Sequence, residues 1–139
     1  MTPVAEFDAD YLYQVFEEGQ TAPIHYPTIG TAAFSFPELA QVGVSPDSVL
    51  DDHHYQVEER SLAGSSLYAG LNEQGARLTL VYNQDHQLIG ASEIGATAAD
   101  DINNLVPVIG LQVTRTAWRQ NIMPIYPAIA DKVGGTLKK

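Results

Sequence analysis

Histidine and aspartate are the residue types in this sequence best suited to metal binding or proton transfer. His53 and His54 lie in a segment, residues 52 to 62, whose weak polar and apolar alternation predicts an exposed strand. Adjacent strand residues point to opposite faces, so one metal ion cannot easily take both imidazoles. His25 in a linker and His86 in a turn are interpreted as solvated, because neither stands at ligand spacing from an acidic cluster.

Two other groups of residues could form a site. Asp51-Asp52 and Asp100-Asp101 could serve as paired carboxylates in acid–base catalysis. Their positions in a turn and at the start of a predicted helix favour turn and helix-cap roles. Trp118, with Ile122 and Met123, could line the base of a ligand pocket, but their helical spacing favours a position in the core or at an interface.

The composition predicts one soluble domain. The chain has 139 residues, 45% of them hydrophobic, and no cysteine. It can therefore form a core but no disulfide, thiolate nucleophile or cysteine metal site. Seventeen acidic and seven basic residues give a net charge of −10, which disfavours nucleic acid and anionic membranes as partners. No run could span a bilayer or act as a signal peptide, so we expect a cytoplasmic protein.

The elements that would position these residues are organised around a hairpin at residues 78 to 95. Alternation over residues 78 to 83 predicts one strand, and the nearly continuous apolar or small run from residue 88 predicts a central strand covered on both faces. Gly90 and Gly95 indicate a bulge or the close approach of a neighbouring backbone. Proline at position 37 separates two further strands, at residues 31 to 36 and 39 to 44.

Helices are predicted on either side of this strand region. Thr2-Pro3 begins a helix with an apolar stripe that ends at Gly19. Ser45 is expected to cap a short helix or turn, and residues 64 to 69 are expected to form a loop with a short strand at residues 67 to 69. A helix from Thr97 should use a capping box and kink or break near Pro107.

Two helices complete the prediction, a short one capped by Thr114 and a last one that begins at Pro127 and runs through Leu137. One N-terminal helix, about five antiparallel strands and two or three later helices indicate an α+β fold, with the helices on one face of the sheet.

Several segments resemble the C-terminal interface domain of the pyridine nucleotide-disulfide oxidoreductases, whose members include glutathione reductase and dihydrolipoamide dehydrogenase. The matching pieces are Tyr26-Pro27-Thr28, residues 34 to 43 (FSFPELAQVG) and residues 88 to 91 (LIGA) followed by Gly95. They occur in the family's order and at similar separations, between residues 24 and 131. Residues 2 to 18 resemble the last helix of the family's FAD domain, whose Thr-Pro start lies beside the flavin.

The resemblance implies a division into residues 1–20, the last helix of a FAD-domain-like region, residues 21–30, a linker, and residues 31–139, a dimerisation domain. It implies a homodimer without the FAD and NAD(P) modules, which would belong to a full-length parent and be possible further partners. The sequence agrees, because it contains no GxGxxG stretch and no cysteine for a redox-active pair. We therefore expect no cofactor in this chain and no catalysis by it alone.

One departure from the family concerns its acid–base dyad of histidine and glutamate, which is donated across the dimer. Tyr126 and Asp131 occupy those positions here. Tyrosine, with a pKa near 10, cannot replace imidazole near neutral pH. No catalytic residue is therefore assigned, and Thr2 is the one cofactor-facing candidate, through its backbone amide at a helix N-terminus in a full-length parent. A flavin-binding oxidoreductase and a free-standing regulator of full-length subunits remain as alternatives.

Overall fold

A computed structural model describes residues 2–123 of the chain, and its centre is one five-stranded antiparallel sheet. The strands are β1 (Gly30–Ala33), β2 (Glu38–Gly43), β3 (Gln56–Ser61), β4 (Arg77–Tyr82) and β5 (Leu88–Gly95), in the spatial order β1-β2-β5-β4-β3. The helices are α1 (Thr2–Glu17), α2 (Ser66–Leu71), α3 (Ala98–Gly110) and α4 (Arg115–Asn121). The predicted α+β class, strand number and N-terminal helix are confirmed.

The β4–β5 hairpin was predicted in the right place, and β5 is the central strand. The Asn83 side chain organises the turn, because its Oδ1 accepts hydrogen bonds from the amides of Asp85 (3.0 Å) and Gln87 (2.9 Å). A Cβ added at Gly90 would lie 2.1 Å from the carbonyl oxygen of Val44. The expected close backbone approach at this glycine is therefore present.

The core lies between the sheet and α3. Opposed residues of neighbouring strands share a face, and in one such row Val42, Ala91 and Leu80 pair across β2, β5 and β4 and are all buried. Ile102 and Leu105 of α3 pack against this face. On the other face of β5, Gly90 is buried and Ser92 and Ile94 are partly buried. No residue of this strand is exposed, as expected for a strand covered on both faces.

Strand β3 forms an edge of the sheet, as its charge predicted. The guanidinium of Arg60 in β3 lies 2.7 Å from the carboxylate of Glu58, and both side chains are partly buried. Arg60 and Glu58 pair with Leu78 and Leu80 of β4 and so share the helix-covered face. The ion pair therefore lies on the helix-covered face at the β3 edge of the sheet.

The start of α3 is held by a residue that the capping-box prediction did not include. Thr97 makes no side-chain cap hydrogen bond. The amide of Ala99 instead donates to Oε2 of Glu38, at the start of β2, over 3.0 Å. A carboxylate brought from another strand satisfies an amide that the local sequence leaves free. The helix also runs unbroken through Pro107.

Three further local predictions can be compared with the structure. Residues 66 to 71 form helix α2 where a loop and short strand were expected, and Ser45 precedes a 3₁₀ turn without a side-chain cap hydrogen bond. The capping prediction for α4 is confirmed, because Thr114 Oγ1 accepts from the amide of Ala117 over 3.1 Å. The helix predicted from Pro127 lies outside the described residues. No helix within residues 2–123 is both long and apolar enough to cross a membrane.

Candidate functional site

A cleft of about 610 Å³ lies between α1, the linker, β1 and α3 and is called here the apolar cleft. Ala40 and Ile102, both buried in the core, contribute to its lining. Phe7 and Phe34 lie at its more exposed parts. Its volume falls in the range of ligand pockets, which are usually lined by apolar side chains.

Helix α1 forms one wall of the apolar cleft and contains no buried residue. It is tied to the linker by hydrogen bonds from the Tyr11 hydroxyl to the Ala22 carbonyl (2.9 Å) and from the Tyr26 hydroxyl to Asp8 Oδ1 (2.8 Å). The Asp8 hydrogen bond, with smaller contributions from desolvation and the charge of Asp8, raises the pKa of Tyr26. The apolar stripe of α1 was predicted to need a partner surface, and Phe7, Leu12 and Phe16 of this stripe are exposed.

Two aromatic side chains project from the connection between β1 and β2, residues 34 to 37, called here the aromatic connection. Phe34 is 81% exposed and Phe36 is 93% exposed. Phe34 also borders the apolar cleft. The connection carries no charge, and the hydroxyl of Ser35 donates to the carbonyl of Pro37 over 2.7 Å. An apolar cleft and exposed aromatic rings therefore lie side by side.

A polar cluster inside the core links α2, β5 and α3. The Tyr68 hydroxyl donates to Glu93 Oε1 (2.8 Å) and contacts Thr97 Oγ1 (2.9 Å), and the Thr97 hydroxyl donates to Asp101 Oδ2 (3.2 Å). Glu93 and Asp101 are each 1% exposed. Burial, reinforced by the bond to Glu93 and opposed by the bond to Thr97, raises the pKa of Tyr68. Buried carboxylates require such partners.

The sequence prediction missed this cluster. It assigned Asp101 to helix-cap charge, whereas the side chain is buried and bonded to Thr97. A signal was present in Glu93, which follows an apolar run in a strand predicted to be central. A charged residue there must have a partner in the core. The contribution of Tyr68 could not be predicted, because α2 itself was not predicted.

The structure shows where His53, His54 and Trp118, considered above as possible site residues, lie. His53 and His54 lie in a turn, not in a strand as assumed, and their rings stack with centroids 6.2 Å apart. His54 Nδ1 lies 2.7 Å from Asp52, and the backbone and side-chain hydrogen bonds from His54 lower the pKa of Asp52. No group of three metal-ligating side chains occurs in residues 2–123. Trp118 is buried in the core, as its helical spacing indicated.

The remaining site candidates are only partly covered by the structure. Thr2 is the first residue of α1, and its neighbours Pro3 and Val4 line the apolar cleft. Its contact with flavin stays a prediction. Tyr126 and Asp131 lie outside the described residues.

This fold is similar to that of part of two solved oxidoreductase structures. The chain superposes along its whole length on 33% of RclA, an HOCl-induced flavoprotein disulfide reductase from Escherichia coli, with a TM-score of 0.80 and 17% identity. Over 92% of its length it superposes on 28% of LpdA from Mycobacterium tuberculosis, with a TM-score of 0.75 and 16% identity. These likenesses establish the fold.

Two curated sequences are also similar. The chain is 26% identical to a glutathione reductase of Burkholderia cepacia over 135 residues, 95% of this chain and 30% of that protein. It is 27% identical over 139 residues to an uncharacterised 19.7 kDa protein in a mercuric resistance operon of Staphylococcus aureus. This match covers 99% of this chain and 77% of that protein. No family profile matches the chain. The resemblance to the pyridine nucleotide-disulfide oxidoreductases is confirmed, and the chain spans about a third of the reductases it matches.

Proposed function

We propose that this chain is a homodimerisation module of the disulfide reductase type, which performs no redox chemistry alone. The observation that supports this proposal is exposed apolar surface on an otherwise acidic chain, above all Phe34 and Phe36 beside the apolar cleft. Monomeric soluble proteins rarely expose such continuous apolar patches unless a partner covers them. A second copy is the partner that the resemblance implies.

Cofactor chemistry belongs, in this proposal, to the FAD and NAD(P) modules of a full-length parent. The described lining of the apolar cleft includes Asp100 and no basic side chain. A dinucleotide diphosphate is commonly held by backbone amides of a glycine-rich turn or by cations, and an unpaired carboxylate would repel it. The cleft therefore does not fit the diphosphate of FAD, although its apolar walls would accept a ring.

The oligomeric state tests the proposed function. Sedimentation equilibrium of the full chain at low micromolar concentration should report a particle of twice 15.1 kDa. A stable particle of 15.1 kDa would contradict the proposal. An absorption spectrum of the same sample should show no visible band, whereas flavin bands that persist through dialysis would favour the alternative of a flavin-binding protein.

A further inference from the structure

Helix α1 has two apolar faces, and one of them is turned toward the rest of the protein. That face includes Tyr11, whose hydroxyl donates to the Ala22 carbonyl, and Val4, which lines the apolar cleft, and both residues are partly buried. The other face is exposed to solvent in the described part of the chain, residues 2–123. Its members, called here the outer stripe, are Ala5, Ala9, Leu12 and Phe16.

The spacing of the outer stripe is typical of a helix that pairs with another helix. Its steps of four, three and four residues repeat the a and d positions of a coiled coil, where each side chain enters a hole between residues of the facing helix. Ala5 and Ala9 are small and leave room for the facing backbone, whereas Leu12 and Phe16 are large and are 47% and 76% exposed. An apolar seam on a partner helix would therefore fit this face.

An acidic row runs along α1 beside the outer stripe. Glu6, Asp10 and Glu17 are exposed and share one side of the helix, because they lie four and seven residues apart. Residues 2–17 contain four acidic residues and no lysine or arginine, and all seven basic residues of the chain lie after residue 59. A partner of this face must therefore supply positive charge. A second copy would bring the same acidic row and be repelled.

We propose that the outer stripe binds an amphipathic helix of a different protein, whose apolar seam packs on the stripe and whose flanks carry lysine or arginine. The inference goes beyond the proposed homodimerisation, because the partner is not a second copy of this chain. Leu12 and Phe16 are the anchors of the contact, as large side chains usually are. The acidic row orients the partner and speeds its association. Because the row is exposed, salt weakens the contact.

A synthetic helical peptide of leucine and lysine is the probe, with leucine at the a and d positions and lysine at the flanking positions. Its control is the same peptide with glutamate in place of every lysine. Fluorescence anisotropy of the labelled peptides with the full chain should show that the lysine peptide binds and that added salt weakens its binding. The glutamate peptide should bind roughly 100-fold more weakly. A lysine peptide that does not bind the wild-type chain would overturn the proposal.

The first pair of variants tests the large side chains of the outer stripe. Leu12→Ser with Phe16→Ser should raise the dissociation constant of the lysine peptide by about 100-fold, as expected for the loss of two interface anchors. Leu50→Ser with Leu71→Ser is the matched control, because these residues are 64% and 51% exposed and lie outside α1. The control should stay within about threefold of the wild-type constant. Fluorescence of the single tryptophan, Trp118, and circular dichroism check that each variant is folded.

The second pair of variants separates the acidic row from the net charge of the chain. Glu6→Gln, Asp10→Asn and Glu17→Gln together should raise the dissociation constant of the lysine peptide about tenfold and flatten its salt dependence. The control loses the same charge at three exposed residues outside α1. It combines Asp47→Asn, Asp51→Asn and Asp85→Asn. Equal weakening by the two sets would show that net charge alone attracts the peptide, and the proposal would be wrong.

Cross-linking locates the bound peptide, since the chain contains no cysteine. A lysine peptide with one cysteine at a central a position should form a mixed disulfide with the Ala9→Cys variant under mild oxidation. Gln14→Cys is the control, because Gln14 is exposed on the side of α1 away from the outer stripe. A mixed disulfide that forms equally with both variants would contradict the proposed contact.

Two other occupants of the outer stripe are outcomes of the same tests. An amphipathic helix also binds lipid surfaces, and the acidic row disfavours anionic ones, so vesicles of phosphatidylcholine are the probe. Vesicles that bind the wild-type chain and not the variant with serine at positions 12 and 16 would make the stripe a membrane contact and overturn the proposal. Sedimentation equilibrium should give this variant the oligomeric state of the wild type. A dimer lost in the variant would assign the stripe to a second copy and would also overturn the proposal.

Discussion

Removal of one buried hydroxyl group should show how far the interior polar cluster stabilises the fold. Tyr68→Phe keeps the ring and deletes the oxygen that lies 2.8 Å from Glu93 and 2.9 Å from Thr97. A neutral hydrogen bond contributes about 1 kcal/mol net, and one to a charged group about 1.5–3 kcal/mol. Tyr68 has one hydroxyl proton, which it donates to Glu93, and the Thr97 hydroxyl donates to Asp101. One hydrogen bond to a buried carboxylate is therefore lost, and the expected loss in the free energy of unfolding is about 1.5–3 kcal/mol.

Urea unfolding followed by Trp118 fluorescence measures this loss. Wild type and variant are compared at the same protein concentration, because dimer formation would make the apparent stability concentration-dependent. Tyr13→Phe is the control, since Tyr13 is exposed on α1 and should change the stability by less than about 0.5 kcal/mol. A Tyr68→Phe variant as stable as the control would refute the assignment of a stabilising role to the cluster.

The same pair of proteins gives a pH prediction. Burial and the bond to Glu93 raise the pKa of Tyr68 above its ordinary value near 10. Above pH 10 the unfolded chain loses this proton while the folded chain keeps it, so wild-type stability falls as pH rises. The phenylalanine variant lacks this titration. The stability difference between the two should therefore be constant below pH 10 and shrink above it, by at most about 1.4 kcal/mol per pH unit.

Substitutions at three further positions test the fold by urea unfolding. Glu38→Ala should cost about 1 kcal/mol, because it frees the amide of Ala99, whereas Glu38→Gln should keep most of the stability through its amide oxygen. Gly90→Ala should cost about 3 kcal/mol or more, since its Cβ would meet the Val44 carbonyl oxygen at 2.1 Å, and a cost below 1 kcal/mol would contradict that close approach. Thr114→Ala should cost about 1 kcal/mol by removing the α4 cap, and an unchanged midpoint would show that the cap is not needed.

The parts of the fold that could be predicted from sequence are those with a local signal. The hairpin was found because alternation, a turn rich in polar residues and a central apolar run occur together within residues 78 to 95. The charged edge strand β3 and the cap at Thr114 were found for the same reason. Each depends on residues at most a few positions apart.

The parts that could not be predicted depend on contacts between distant residues. Glu38 caps a helix 61 positions away, and no short-range pattern marks it for that role. Helix α2 has six residues, too few for a recognisable period. It is held in place by Tyr68, which bonds Glu93 and Thr97, 25 and 29 positions away.

The candidate site also combines features that a local sequence pattern predicts with features that depend on the whole fold. The resemblance in residues 34 to 43 indicated a dimerisation domain, but a strand pattern does not say which aromatic residues the fold buries. Phe34 and Phe36 would be expected at the end of an ordinary strand, yet β1 ends at Ala33 and both rings project into solvent. Their exposure has a physical cost that only a covering surface removes. The exposed aromatic patch is therefore a consequence of where β1 ends, a boundary that the sequence pattern placed three residues too late.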